Sequence, residues 1–276
     1  MITENTMELL GLLIIGIVGG TWGSLIGAGG GFIIVPAMLI FHPTLSPAIV
    51  TAVSLIAVLA NSISGVSVYA KLKRIDYKTG LLFLLATLPG GVIGALLVNH
   101  IDKNLFQSLV GILLVMIAFY VFFKKSPSRQ SLPTTSFARS ITDSTGSNYK
   151  YQVRIFTGIP IVFVVGFIAG MIGVGGGIIN VPAFILLVGI PLQIAVATSQ
   201  FMIVGTSLAS NITNILEGDL SGQWPIAITL AIGTIIGGQI GSRLSQKIAS
   251  VLIVRALAAA LLLVGIRLLI NSLTNN

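Results

Sequence analysis

Apolar residues run along this chain in long blocks broken by short polar gaps. Ten such blocks can be read, five in each half. The first half gives 7–26, 29–42, 47–70, 79–99 and 104–123, and the second gives 153–172, 175–189, 191–215, 223–243 and 248–270. Eight of them have the length of about 17–25 residues that an α-helix needs to cross a bilayer. The second block of each half is shorter, and is read either as a partial or tilted span or as a re-entrant hairpin. The pattern predicts an all-α polytopic membrane protein.

Two short stretches inside these blocks nearly repeat. Gly27-Ala28-Gly29-Gly30-Gly31-Phe32-Ile33-Ile34-Val35-Pro36-Ala37 matches Gly173-Val174-Gly175-Gly176-Gly177-Ile178-Ile179-Asn180-Val181-Pro182-Ala183. Further along, Ile49-Val50-Thr51-Ala52-Val53-Ser54-Leu55 matches Ile194-Ala195-Val196-Ala197-Thr198-Ser199-Gln200, and Gly90-Gly91-Val92-Ile93-Gly94 matches Gly237-Gly238-Gln239-Ile240-Gly241. Three matches in the same order point to duplication. Five segments per repeat is an odd number, so the second repeat is expected to enter the membrane the opposite way up. The domains expected are 1–123 as the first repeat, 153–276 as the second, and 124–152 between them, a Ser- and Thr-rich stretch read as a flexible cytoplasmic linker.

Charge sets the orientation. With ten crossings and an outside N-terminus, the cytoplasmic side holds 13 of the 15 basic residues and leaves only Lys103 and Arg267 outside. With the short segments not crossing and the N-terminus inside, the tally falls to 11. Both termini are therefore expected outside, in a cell (inner) membrane protein. The composition agrees, at 55% hydrophobic and 8% charged residues. The net charge of +8 reflects loop residues and is not read as a nucleic-acid footprint. The chain has no cysteine, which excludes disulfides and thiolate metal sites.

The glycine clusters carry the candidate chemistry. Phe32 and Ile178 stand where a dinucleotide fingerprint needs its last glycine, and no P-loop lysine comes after, so both nucleotide readings fail. Consecutive glycines with a proline after them weaken a helix, and a broken helix at membrane depth marks a transporter's substrate site. Gly27, Pro36, Gly173 and Pro182 are the expected break points. Gly29, Gly30, Gly31, Gly175, Gly176 and Gly177 are the expected backbone donors. Apart from Glu8 at the edge of the first block, no Asp or Glu lies within the blocks, so a buried cation would lack a counter-charge, and a small anion held by neutral donors fits better. Such donors lie in the third segments: Ser54, Asn61, Ser62 and Ser64 in one half, and Thr198, Ser199, Gln200, Thr206, Ser207, Ser210, Asn211 and Asn214 in the other. Ser54, Asn180, Thr198, Ser199 and Gln200 are taken as substrate contacts. The site is expected to lean toward the second half, since Asn180 replaces Ile34 and Gln200 replaces Leu55. Helix packing by small residues, and hydroxyls bonding their own helix, is the competing use of the same residues. Nothing resembles a catalytic triad, a metal cluster or paired carboxylates; no enzyme and no cofactor is expected.

On the doubled Gly-x-Gly-Gly-Gly-x-x-x-Val-Pro-Ala motif, with Ala197-Thr198-Ser199 after the second copy, the chain resembles the TauE/SafE family of sulfite and organosulfonate exporters. The resemblance covers nearly the whole chain outside 124–152. It implies a duplicated all-helical permease moving small sulfur-containing anions. It carries the family motif onto Gly27, Gly29, Gly30, Gly31 and Pro36, and onto Gly173, Gly175, Gly176, Gly177 and Pro182. The expected activity is a secondary transporter exporting a small sulfur oxyanion by alternating access, with a small anion and the bilayer as partners and a homodimer left open. The rivals are an anion channel and a non-transporting membrane assembly or scaffold protein.

Overall fold

The computed structural model describes residues 2–123, 137–245 and 251–274. It is an all-α polytopic membrane protein, with ten α-helices and one small two-stranded sheet among the described residues. The helices are α1 Ile2–Ile26, α2 Gly31–Phe41, α3 Pro47–Lys71, α4 Tyr77–Leu97, α5 Lys103–Phe123, α6 Ile155–Ile172, α7 Gly177–Ala183, α8 Leu192–Glu217, α9 Trp224–Leu244 and α10 Val251–Thr274. Among the described residues, six are long and apolar enough to cross a membrane: α1, α3, α4, α6, α8 and α9. Their lipid-facing residues are exposed leucines and isoleucines such as Leu85, Leu208 and Ile232. Buried Ser, Thr and Asn side chains turn inward, mostly from α3 and α8.

The short second segments are hairpin arms rather than crossings. α2 has 11 residues, about 16 Å of helix against a hydrocarbon core of about 30 Å. Its end returns to where α1 starts, with His42 Nδ1 3.7 Å from Glu8. α7 likewise returns to the start of α6, where the Arg154 amide donates to the Val188 carbonyl at 3.0 Å. Of the two readings of these segments, span or re-entrant hairpin, the short helices with returning ends fit the re-entrant hairpin.

Matched helices meet matched partners. α1 packs along α9 as α6 packs along α4. Each crossing is made so close by glycine that an added Cβ would strike backbone. Gly20 faces the Thr234 carbonyl, and the matched Gly166 faces that of Thr87. Gly237 faces the Ile17 carbonyl, and the matched Gly90 faces that of Phe163. α3 and α8 pair with one another, as do α5 and α10, where Gly111 and Gly265 sit on each other's carbonyls. The contacts are thus reciprocal between the halves.

One expectation about the middle of the chain is corrected. Residues 124–136 lie outside the described residues, but 137–153 is not a loose tether. It forms an antiparallel hairpin, β1 Phe137–Thr142 with β2 Asn148–Val153, in register from Phe137↔Val153 to Thr142↔Asn148. Ile141, Tyr149, Tyr151 and Val153 alternate with polar residues and pack against Ile190, Ile194 and Phe184. Asp143 organises the turn. One carboxylate oxygen accepts from the Thr145 amide and hydroxyl and from the Ser147 amide. The other accepts both guanidinium bonds of Arg74, at 3.0 and 2.8 Å. The Ser144 amide donates to the Leu72 carbonyl, and the Tyr151 hydroxyl donates to Asp76 at 2.9 Å. Asp76 in turn caps α4 by accepting from the Thr79 amide and hydroxyl.

The Thr145 hydroxyl, together with Arg74 and the turn amides, holds the Asp143 carboxyl well below the usual range against the opposing effect of burial. A depressed carboxyl stabilises above its unfolded value of about 4 and loses that contribution as pH falls below it. Asp143→Asn is expected to make trypsin cleavage at Arg139 and Lys150 at least about tenfold faster at pH 7, and cleavage at the wild-type rate would contradict this docking of the β-hairpin. At the helix crossings, Gly20→Ala and Gly237→Ala are each expected to cost about 1–3 kcal/mol by overpacking. A melt in detergent should show a drop of several degrees for both, and none for Gly11→Ala, where nothing lies within 4 Å of the added carbon.

Candidate functional site

The two glycine motifs form the tips of the α1–α2 and α6–α7 hairpins, and the tips interlock. Three glycines in each turn hold a left-handed backbone: Gly27, Gly29 and Gly30 at φ 79°, 79° and 87°, and Gly173, Gly175 and Gly176 at φ 82°, 80° and 71°. Side chains are strained there, so the turn demands glycine. The fourth glycine is required by approach instead. A Cβ on Gly31 would lie 2.5 Å from the Gly173 carbonyl oxygen, and one on the matched Gly177 would strike the Gly27 carbonyl. The middle glycines, Gly29 and Gly175, both rest on Val58 of α3 and Ile203 of α8, residues near the midpoints of those long helices. The tips therefore meet at mid-depth.

The break is made by glycine alone, which corrects the role expected for the prolines. Pro36 sits inside α2, which continues to Phe41, whereas Pro182 is the penultimate residue of α7, which ends at Ala183. Pro182 does alter the next turn, since it lacks the N–H that Ile178 would receive. The chain then widens into a single π-helical turn, Phe184–Val188.

The predicted side chains fall around the tips in two roles. Ser54 Oγ donates to the Gly173 carbonyl at 3.0 Å, and the matched Ser199 Oγ donates to the Gly27 carbonyl at 3.0 Å. Gln200 Nε2 donates to the Gly23 carbonyl at 3.1 Å, and Thr51 Oγ1 to the Met171 carbonyl at 3.1 Å. The bonds to Gly27, Gly173 and Met171 satisfy carbonyls orphaned where α1 and α6 end, while the Gly23 carbonyl also accepts the Ala28 amide at 2.6 Å. Asn180 stands one turn beyond Gly176 and is buried, with no partner for its Oδ1 among the described residues. Thr198 lies apart from the tips, where its Oγ1 accepts from the Asp76 amide at 3.0 Å.

The tips also present donors. The N–H groups of Gly30, Gly31, Gly175 and Gly176 find no acceptor among the described residues. They lie at or beside the starts of α2 and α7, where the helix dipole adds partial positive charge. The carbonyls that would repel an anion there, those of Gly27 and Gly173, are already engaged by serines. No charged side chain lies on α2 or α7, on α3 before Lys71 or on α8 before Glu217. The arrangement is neutral, buried and rich in N–H, with the chemistry to hold a small anion without a formal counter-charge. Outside it, burial pushes the Asp219 carboxyl up, partly offset by Asn99. Sequence reasoning does not single out Ser24, Gly65 or Tyr69, which gather beside the tips around Asn61 and Gln200, because none of them departs from ordinary membrane-helix composition.

Comparison with known proteins places the chain. The family model for Sulfite exporter TauE/SafE matches residues 12–268. The probable membrane transporter protein YunE of Bacillus subtilis is 32% identical over 269 residues, covering 95% of this chain and 98% of that protein. A probable membrane transporter protein of Methanocaldococcus jannaschii is 30% identical over 249 residues, with 86% of each chain covered. YfcA of Escherichia coli, another probable membrane transporter protein, is 26% identical over 225 residues, covering 79% of this chain and 74% of its own. No solved structure matches. The helices, the interlocked glycine tips and these matches lead to one conclusion: the chain belongs to the TauE/SafE sulfite exporter family and is a multi-pass membrane transporter.

Proposed function

We propose that this transporter exports a small sulfur-containing oxyanion, sulfite or an organosulfonate, by alternating access. The observation that carries the proposal is the pair of hairpin tips meeting at mid-depth with unpaired glycine N–H groups beside carbonyls that serines have engaged. Such a centre suits an anion too small and too polar for an apolar pocket. Both the sulfur anion and the direction of transport come from the family's description. In this reading the two repeats lie in the membrane in opposite orientations, both termini lie outside, and the β-hairpin lies on the cytoplasmic side with Lys71, Lys73 and Arg74. Reciprocal contacts support that arrangement, since exchanging the halves maps Gly31 on Gly173 onto Gly177 on Gly27. Two near-equivalent packings of one interface are what alternating access requires. Burial of Ser54, Ser199, Gln200 and Asn180 favours a gated path over an anion channel.

The test is flux from proteoliposomes loaded with sulfite, sulfoacetate or taurine. Saturable flux of at least one is expected. Gly176→Ala, which forces a side chain onto a left-handed backbone, is expected to slow it more than about tenfold, and Asn180→Ala by about tenfold at most. Flux that never saturates would favour the channel, and no flux of any anion from protein that melts normally would overturn the substrate class.

A further inference from the structure

A second polar cluster lies one turn from the tips, toward the end of α3. Ser24 from α1, Asn61 from α3 and Gln200 from α8 are each fully buried. Ser24 Oγ donates to Asn61 Oδ1 at 3.0 Å. Gly65, one turn after Asn61, leaves room for the others: the point a Cβ would occupy there lies 3.0 Å from Ser24 Oγ and 3.6 Å from Gln200 Oε1. Two atoms of the cluster are left open. Asn61 Nδ2, a donor, and Gln200 Oε1, an acceptor, have no partner among the described residues. An open buried polar atom is destabilising, so each needs an explanation.

The matched positions in the other half provide an internal control. There Gly170 stands for Ser24, Thr206 for Asn61, Ser210 for Gly65 and Leu55 for Gln200. Thr206 bonds the Met202 carbonyl and Ser210 the Gly91 carbonyl, so neither hydroxyl is left open. At these four matched positions no polar atom is left open, although Asn211 Oδ1 and both amide atoms of Asn214 further along α8 have no partner among the described residues. Tyr69 closes the cluster on the side toward the end of α3. Its hydroxyl donates to the Ser24 carbonyl at 2.7 Å and lies 3.1 Å from Ser245 Oγ. Its matched residue is Asn214, which is fully buried with neither amide atom paired among the described residues.

We propose that Asn61 and Gln200, held by Ser24 and Gly23, form a specificity site for a singly charged oxyanion that carries its own hydroxyl or ammonium donor. Asn61 Nδ2 donates to an oxyanion oxygen, and Gln200 Oε1 accepts from the ligand's O–H or N–H. The site holds no formal charge, and desolvation cost grows with the square of charge, so a monoanion or zwitterion is accepted over a dianion. Hydrogensulfite and hydroxy- or aminoalkanesulfonates have this chemistry. This inference rests on the transporter reading above and sharpens its substrate class.

Isethionate and ethanesulfonate test the site, since they share charge and shape and differ by one hydroxyl. In proteoliposomes at equal concentration, wild type is expected to move isethionate at least about tenfold faster, the effect of one buried hydrogen bond of about 1.4 kcal/mol. Gln200→Leu, the residue found at the matched position, is expected to reduce the isethionate-to-ethanesulfonate ratio to within about twofold, read as a ratio of the two rates whatever the absolute flux. Gln200→Met serves as the second variant if Leu lowers the melting temperature. Asn61→Thr, again the matched residue, is expected to slow both probes. Equal wild-type rates, or a preference that survives at position 200, would overturn the site and leave the transporter reading intact. Failure of wild type to move either probe, or sulfite or taurine, would overturn both.

Discussion

The fold depends on the close approach of two backbones at its centre. Gly31 lies against the Gly173 carbonyl and Gly177 against the Gly27 carbonyl, with Val58 and Ile203 beneath the middle glycines. In a bilayer, where lipid tails are as apolar as leucine, hydrophobic burial does little to hold helices together, and close packing of small residues takes over. Gly31 and Gly177, which allow this approach, directly follow the left-handed glycines that end α1 and α6, so packing and helix interruption lie in one short motif. Everything nearby adapts to the crossing. Ser54 and Ser199 cap the exposed carbonyls, and the long helices α3 and α8 supply the floor.

Reciprocity makes the departures from it informative. Where the halves agree, as at Ser54 and Ser199 or at Gly237 and Gly90, the residues serve the fold. Where they differ, at Gln200 and Leu55 or at Tyr69 and Asn214, packing alone gives no reason for the choice. Those differences gather on the side bearing the β-hairpin, which ties the α3–α4 connection to the starts of α6 and α8 through Arg74–Asp143, Tyr151–Asp76 and Thr198–Asp76. One side of the molecule is thereby braced in a way the other is not.

The helices and the break points are legible in the sequence because their signals are local. A run of apolar residues has a length, and a left-handed turn needs glycine. The partners of those glycines are not legible, since nothing in Gly31 names Gly173. Ser54, Ser199 and Gln200 stand out in the sequence, but their immediate partners differ from those expected: hydroxyls beside a broken helix serve its own orphaned carbonyls first. The prolines mislead because proline in a helix does not always end it. The β-hairpin is hidden by the Ser and Thr around it, although Tyr149, Tyr151 and Val153 already alternate.

The central claim is that two matched halves, set in the membrane in opposite senses, interlock through their hairpin tips. Sided labelling tests it most directly, and the cysteine-free chain makes it simple. Single cysteines placed at Lys73, after α3, and at Asp219, after α8, occupy matched connections. The account predicts that an impermeant maleimide applied to intact cells labels Asp219→Cys and leaves Lys73→Cys unlabelled until the membrane is opened. Labelling of both from the same side would contradict it.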